Sequence, residues 1–276
     1  IPDQANLVAT LLDGASERGW ADRPMLRSPT RTLTYAQAAR EVDRMARVLI
    51  DELKLQPGNR VLLRGGNSVA LALAWLAVVK AGLIAVATMP LLRAAELRKV
   101  IDKARPSAAL CEASLLSELE LAVQDGQALE AILTLEELAR RAAAQPDHFS
   151  ACPTAADDIA LLAFTSGTTG QPKAAVHSHR DVLAACNAWP RHVLKAAPED
   201  VVTGSPPLAF TFGLGGLLLF PMAAGASIYY PEAPYNPESM VRHMREAGVT
   251  ICYTAPTFYR QMAPHARALG LPALRT

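Results

Sequence analysis

Apolar positions along this chain change period repeatedly, from about two residues to 3.6 and back, and each change marks an element. In TLTYAQAAREVDRMARVLIDEL, residues 32–53, Ala, Val, Met and Leu recur at helical spacing behind Thr34 and Gln37, which are spaced as a capping box. QPGNRVLLRG then supplies a turn at Pro57 and Gly58 followed by a short apolar strand. NSVALALAWLAVVKAG is apolar on nearly every face, which predicts a buried helix capped by Asn67 and stopped at Gly82. LIAVAT predicts a strand and RAAELRKVIDKA a helix that ends before Pro106, and the pattern continues through SAALCE. Polar AAAQPDHFSACPTAADD, 142–158, predicts a linker or a surface crossing. Beyond it come strands IALLAF and AAVH, a helix through Asn187, strand VVTGS, a helix capped by Asn236 with Pro237 at its first position, and strand VTICYT. Such alternation predicts an α/β fold of mostly parallel sheets flanked by helices, in two subdomains, 1–155 and 156–276.

One run, residues 208–230, carries no charge over a length that could span a bilayer. Pro221 and four glycines interrupt it, so a buried helix followed by a buried strand is the expected form. The chain is 51% hydrophobic over 276 residues, enough for a substantial core. Its 27 basic and 26 acidic residues leave a net charge of +1, which gives no electrostatic case for nucleic acid or an anionic membrane as partner. Cys111, Cys152, Cys186 and Cys252 lie far apart, fitting neither a disulfide framework nor a zinc site. Buried free thiols in a reducing cytoplasm are expected, and the N-terminus shows no secretory signal pattern. His177 and His179, two apart, would share a strand face, but with no third ligand nearby they are expected to be packed or hydrogen-bonded rather than metal-binding.

The densest chemistry lies in LLAFTSGTTGQPKAAVHSH, residues 161–179. A loop that cradles phosphate needs glycines free to take positive φ so that amides converge, plus hydroxyls and a cation aimed at the same point. Thr165, Ser166, Gly167, Thr168, Thr169, Gly170 and Lys173 supply all three. Charge-assisted hydrogen bonds contribute about 1.5 to 3 kcal/mol each, enough to offset the ordering of a glycine loop. The order is not that of a Walker loop, because Gln171 and Pro172 separate Gly170 from Lys173 and no hydroxyl follows the lysine. With KAAVH reading as a second strand, the segment predicts a hairpin that folds over its ligand.

TSGTTGQPK resembles the signature loop of the adenylate-forming superfamily, and the segments around residues 33–49, 55–101 and 249–262 resemble its flanking segments in order. The resemblance covers essentially the whole chain and is strongest toward benzoate– and 2-aminobenzoate–CoA ligases. It implies that the loop grips the β- and γ-phosphates of ATP, with Lys173 and Thr165 catalytic, while a substrate carboxylate attacks the α-phosphorus to give an acyl-adenylate and pyrophosphate. CoA would then accept the acyl group.

The resemblance places a second segment, SPPLAFTFGLGG, beside the acyl pocket. Phe210 stands where many relatives carry His, and no acidic residue is present to pair with a substrate ammonium, which disfavours an α-amino acid. Phe210 and Phe212 would stack on an aryl ring, Thr211 and Gly213 shape the floor, and Ala188 or Trp189 form a wall. A medium-chain fatty acid stays open as the substrate. Family members continue with a Glu that helps hold Mg²⁺, an Asp for the ribose, and a small C-terminal domain with a catalytic Lys. None of these is found here, so the Mg²⁺ ligand is expected outside this chain, as is a missing C-terminal portion, and the 276 residues alone are expected to turn over negligibly. Two other classes remain: an NTPase or kinase, against which the absent Walker order speaks, and a non-catalytic nucleotide-binding or interaction module.

Overall fold

The computed structural model describes residues 1–123, 129–165, 172–232, 234–271 and 274–276. Its strands in chain order are β1 (Pro24–Arg27), β2 (Thr32–Thr34), β3 (Arg60–Arg64), β4 (Ile84–Thr88), β5 (Ala108–Cys111), β6 (Ala131–Thr134), β7 (Ile159–Thr165), β8 (Lys173–Ser178), β9 (Val201–Gly204), β10 (Ser227–Tyr229) and β11 (Ile251–Tyr253). The helices are α1 (Leu7–Leu11), α2 (Tyr35–Arg47), α3 (Val69–Lys80), α4 (Ala94–Ala104), α5 (Leu116–Val123), α6 (Leu135–Ala142), α7 (His179–Trp189), α8 (Thr211–Leu214), α9 (Phe220–Ala224), α10 (Pro237–Ala247) and α11 (Pro256–Leu269).

The strands form two sheets, one ordered β6-β5-β3-β4-β7-β8 and the other β11-β9-β10-β1-β2. All pairs are parallel except β7 with β8 and β1 with β2, so the mostly parallel α/β expectation holds. Contacts divide the chain into two compact units, one of residues 1–14, 39–66 and 70–184, the other of 15–38, 67–69 and 185–276. The expected cut near residue 155 differs from this division, because β7 pairs with β4 and carries β8 into the first sheet.

In the first unit, α4 presents Leu97 and Ile101 to Leu62 of β3 and to Ala109 and Cys111 of β5, and Val100 and Ala104 to Val86 of β4. Strand β5 is buried at every position, as expected where helices cover a parallel sheet. Helix α3 is the buried apolar helix expected, and its last residue, Lys80, is 2% exposed. The Lys80 ammonium lies 2.7 Å from Asp13 and 2.5 Å from Asp43. Burial pushes the Asp43 carboxyl up, against the pull of Lys80. Gly82 ends the helix at φ +75°, where a Cβ would sit 2.6 Å from the Cys152 sulfur. Asn67 does not cap α3: its amide donates to Pro206 O (2.8 Å) and its oxygen accepts from Leu208 N (2.8 Å), while the Val69 amide is taken by Glu232 (2.9 Å). The capping box of α2 is present, with Thr34 N donating to Gln37 and Gln37 N to Thr34. The helix then ends in a wider π-turn, Val48–Glu52.

In the second unit, Met240, Val241 and Met244 of α10 pack with Tyr229, Cys252 and Met262. Asn236 caps α10 by accepting from Ser239 N, with Pro237 at the first position. The uncharged run becomes α8, a π-turn at Gly215–Leu219, α9 and then β10. Among the described residues no helix is long and apolar enough to cross a membrane. The four cysteines are free, and burial pushes the Cys111 thiol up to about 11 and that of Cys186 up to about 12.

Candidate functional site

The signature segment opens at the carboxyl end of β7. That strand runs parallel to β4 and antiparallel to β8, so the chain turns back on itself as a hairpin, as its two apolar flanks predict. Thr165 and Lys173 are the cross-strand partners next to the connecting segment, and both are exposed. On the far side of the turn, Lys103 of α4 donates to the Pro172 carbonyl at 2.9 Å. Ser166, Gly167, Thr168, Thr169 and Gly170 lie outside the described residues.

His177 and His179 do not share a strand face, because β8 ends at Ser178 and His179 begins α7. His179 is 1% exposed, its Nδ1 accepts from Leu7 N at 3.0 Å, and burial lowers its pKa to about 4. It is therefore a neutral structural acceptor, in keeping with a packed role. Among the described residues no group of three or more His, Cys, Asp or Glu could hold a metal.

The second unit gathers the aromatic residues. Strands β9 and β11 end side by side at Gly204 and Tyr253, and ligands of parallel sheets bind beyond such carboxyl ends. Ser205 N donates to Tyr253 O at 2.9 Å, and the Ser205 and Thr254 hydroxyls are hydrogen-bonded just past the strands. The chain then turns through Pro207, whose carbonyl accepts from Phe210 N, into α8. Gly213 is fixed by this turn, since a Cβ there would lie 2.0 Å from the Pro207 carbonyl oxygen. Phe212 meets Tyr253 edge-on at 6.0 Å, Trp189 lies 6.0 Å from the same ring, and Trp189 stacks on Phe220 at 5.6 Å.

Trp189, Phe210 and Phe212 are 36%, 40% and 56% exposed. Thr211 and Ala188 are exposed beside them. Phe210 is the N-cap residue of α8 and, unlike Phe212, has no ring contact with Tyr253. Sequence reasoning did not single out Phe220 and Tyr253 as neighbours of Trp189 and Phe212, since nothing in VTICYT distinguishes this tyrosine from a core one. A separate cavity of about 510 Å³, lined by Trp20, Cys186, Asn187, Pro190, Arg191 and Lys195 among others, adjoins the segment that enters β9 from its amino end.

Residues 15–276 match the model of the AMP-binding enzyme family. The chain is 32% identical to the p-hydroxybenzoic acid–AMP ligase FadD22 of Mycobacterium tuberculosis, over 93% of this chain and 35% of that protein. It is 27% identical to the benzoate–CoA ligase of Thauera aromatica, over 95% of this chain and 51% of that one. Among solved structures, that of the anthranilate CoA ligase AuaEII in complex with anthranoyl-AMP superposes with a TM-score of 0.90 at 26% identity, covering 100% of this chain and 54% of that one. The chain thus spans between about a third and a half of the relatives it matches.

Proposed function

The chain belongs to the AMP-binding enzyme family, and from that premise we propose that it is the N-terminal portion of an ATP-dependent carboxylate–CoA ligase acting on an aromatic, benzoate- or 2-aminobenzoate-like acid. The observation that carries the reading is the hairpin. Its two strands bring Thr165 and Lys173 opposite each other at the mouth of a hydroxyl- and glycine-rich turn, the chemistry a triphosphate requires. Two anions must meet in adenylation. Lys173, Thr165 and the loop residues 166–170 lower that repulsion and stabilise the charge that leaves with pyrophosphate. Mg²⁺ supplies further charge neutralisation when bound with ATP. CoA takes the acyl group in the second half-reaction.

The acid sits in the second unit. Phe212, Trp189 and Tyr253 offer ring faces and edges at strand ends, and in this reading Thr211 and Gly213 would shape the floor while Ala188 and Phe210 would border the acid. No carboxylate stands in this segment to pair with an ammonium, so a planar, apolar-bodied acid fits better than an amino acid. The relatives whose names specify benzoate, hydroxybenzoate and anthranilate support this class.

Acid-dependent ATP–pyrophosphate exchange by the gene's full-length product tests the proposal. Lys173→Ala is expected to lower exchange at least 100-fold, at about 1.4 kcal/mol per factor of ten, with secondary structure unchanged by circular dichroism. Unchanged exchange in that variant removes the phosphate role of the hairpin.

A further inference from the structure

The second unit buries several tyrosines, and it treats one of them differently. Among the buried ones, Tyr35 donates to Ala226 O (2.8 Å), Tyr230 donates to Leu217 O (2.5 Å) and Tyr229 is hydrogen-bonded to His243 Nδ1 (3.1 Å); even the exposed Tyr259 donates to Cys252 O. Tyr253 is 8% exposed, yet its buried hydroxyl has no hydrogen-bond partner among the described residues. A buried polar group left unpaired is costly, and a phenylalanine would fill the same volume without that penalty.

The surroundings suggest what the hydroxyl is for. Tyr253 closes β11 at the carboxyl edge of the parallel strands, and its ring is held by close neighbours: a Cβ on Gly216 would come within 3.0 Å of it. Phe212 lies edge-on against the ring and Trp189 beside it, both on the exposed aromatic face described above. Phe212 is 56% exposed, so its ring is free to change rotamer beside Tyr253. A phenol both donates and accepts, so it can pair with a hydroxyl or an amino group alike.

We propose that Tyr253 is a specificity-determining residue whose hydroxyl hydrogen-bonds a hydroxyl or amino substituent on the ring of the aromatic acid, so that the preferred substrate is a hydroxy- or aminobenzoate rather than benzoate itself. This rests on the aromatic-acid reading above and narrows it. Sites built to hydrogen-bond a substrate group reject the analogue lacking it far more strongly than apolar pockets reject a missing methylene.

The test compares Tyr253→Phe with the parent in the full-length product, using pyrophosphate exchange with benzoate, 2-aminobenzoate and 2-, 3- and 4-hydroxybenzoate. At least one substituted acid is expected to exceed benzoate tenfold or more in kcat/KM. Tyr253→Phe is expected to erase that advantage, chiefly through KM. A second readout needs no activity: the melting temperature of the full-length product without ligands should hold or rise in Tyr253→Phe, because an unpaired hydroxyl is removed, whereas a fall would show that the hydroxyl has an internal partner and would overturn the inference. If benzoate turns over and the ratio of substituted acid to benzoate is the same in both proteins, the role of Tyr253 falls while the aromatic-acid reading stands. If no aromatic acid supports exchange, both fall.

Discussion

Lowering the pH should destabilise the first unit through one residue, His179. In the folded chain its ring is buried, accepts from the Leu7 amide and titrates at about 4, against 6.5 in an unconstrained histidine. A depressed folded pKa means that the unfolded chain binds the proton first. The stabilisation is therefore fully present above the unfolded value and is lost as the pH falls from about 6.5 through 4. The linkage relation gives a loss of about 2 kcal/mol on going from pH 7 to 5 and about 3 kcal/mol by pH 4. The comparison protein is His179→Asn, in which the amide oxygen can replace Nδ1 as acceptor but carries no titrating group. Urea unfolding of both proteins at pH 7, 6 and 5 measures the effect. The variant is expected to be weaker at pH 7 through lost packing, yet to lack about 2 kcal/mol of the parent's decline by pH 5. Parallel declines in the two proteins would show that His179 does not carry the dependence.

Three other outcomes follow from contacts already described, beside the exchange loss expected for Lys173→Ala. Lys80→Met should cost about 3 to 5 kcal/mol, because the carboxylates of Asp13 and Asp43 lose their shared cation, and adding Asp43→Leu should recover part of it in chemical denaturation. Gly213→Ala should cost about 1 to 3 kcal/mol or more, since its Cβ meets a backbone carbonyl, and should lower the melting temperature while weakening acid-dependent exchange. Tyr35→Phe should lose about 1 kcal/mol, the worth of the bond to the Ala226 carbonyl, with the change confined to unfolding measurements.

The local grammar of this chain was readable before any coordinates. Apolar periodicity marked β3, α3, β4, α4, β7 and β8, and side-chain chemistry marked the caps at Thr34 and Asn236, because each depends on neighbours within a few residues. The family, too, is written in a contiguous stretch, TSGTTGQPK with its flanks. The acid-pocket candidates at 210–213 were legible as a motif, but the ring contact between Phe212 and Tyr253 was not.

What needed tertiary structure depends on residues far apart in the chain. Asn67 reads as a helix cap, but its amide is engaged by Pro206 and Leu208, about 140 positions away. His177 and His179 read as one strand face until the strand ends between them. The units interleave because β1 and β2 join the sheet of β9–β11, while β7 and β8 join that of β3–β6, a pairing no local pattern encodes. Tyr253 is the sharpest case. Its sequence context is that of any buried strand, and only three-dimensional packing decides that this buried hydroxyl has no partner among the described residues, beside an exposed aromatic face. Propensity and capping act over a few residues, whereas hydrogen-bond satisfaction is settled by whatever the whole fold brings within about 3 Å.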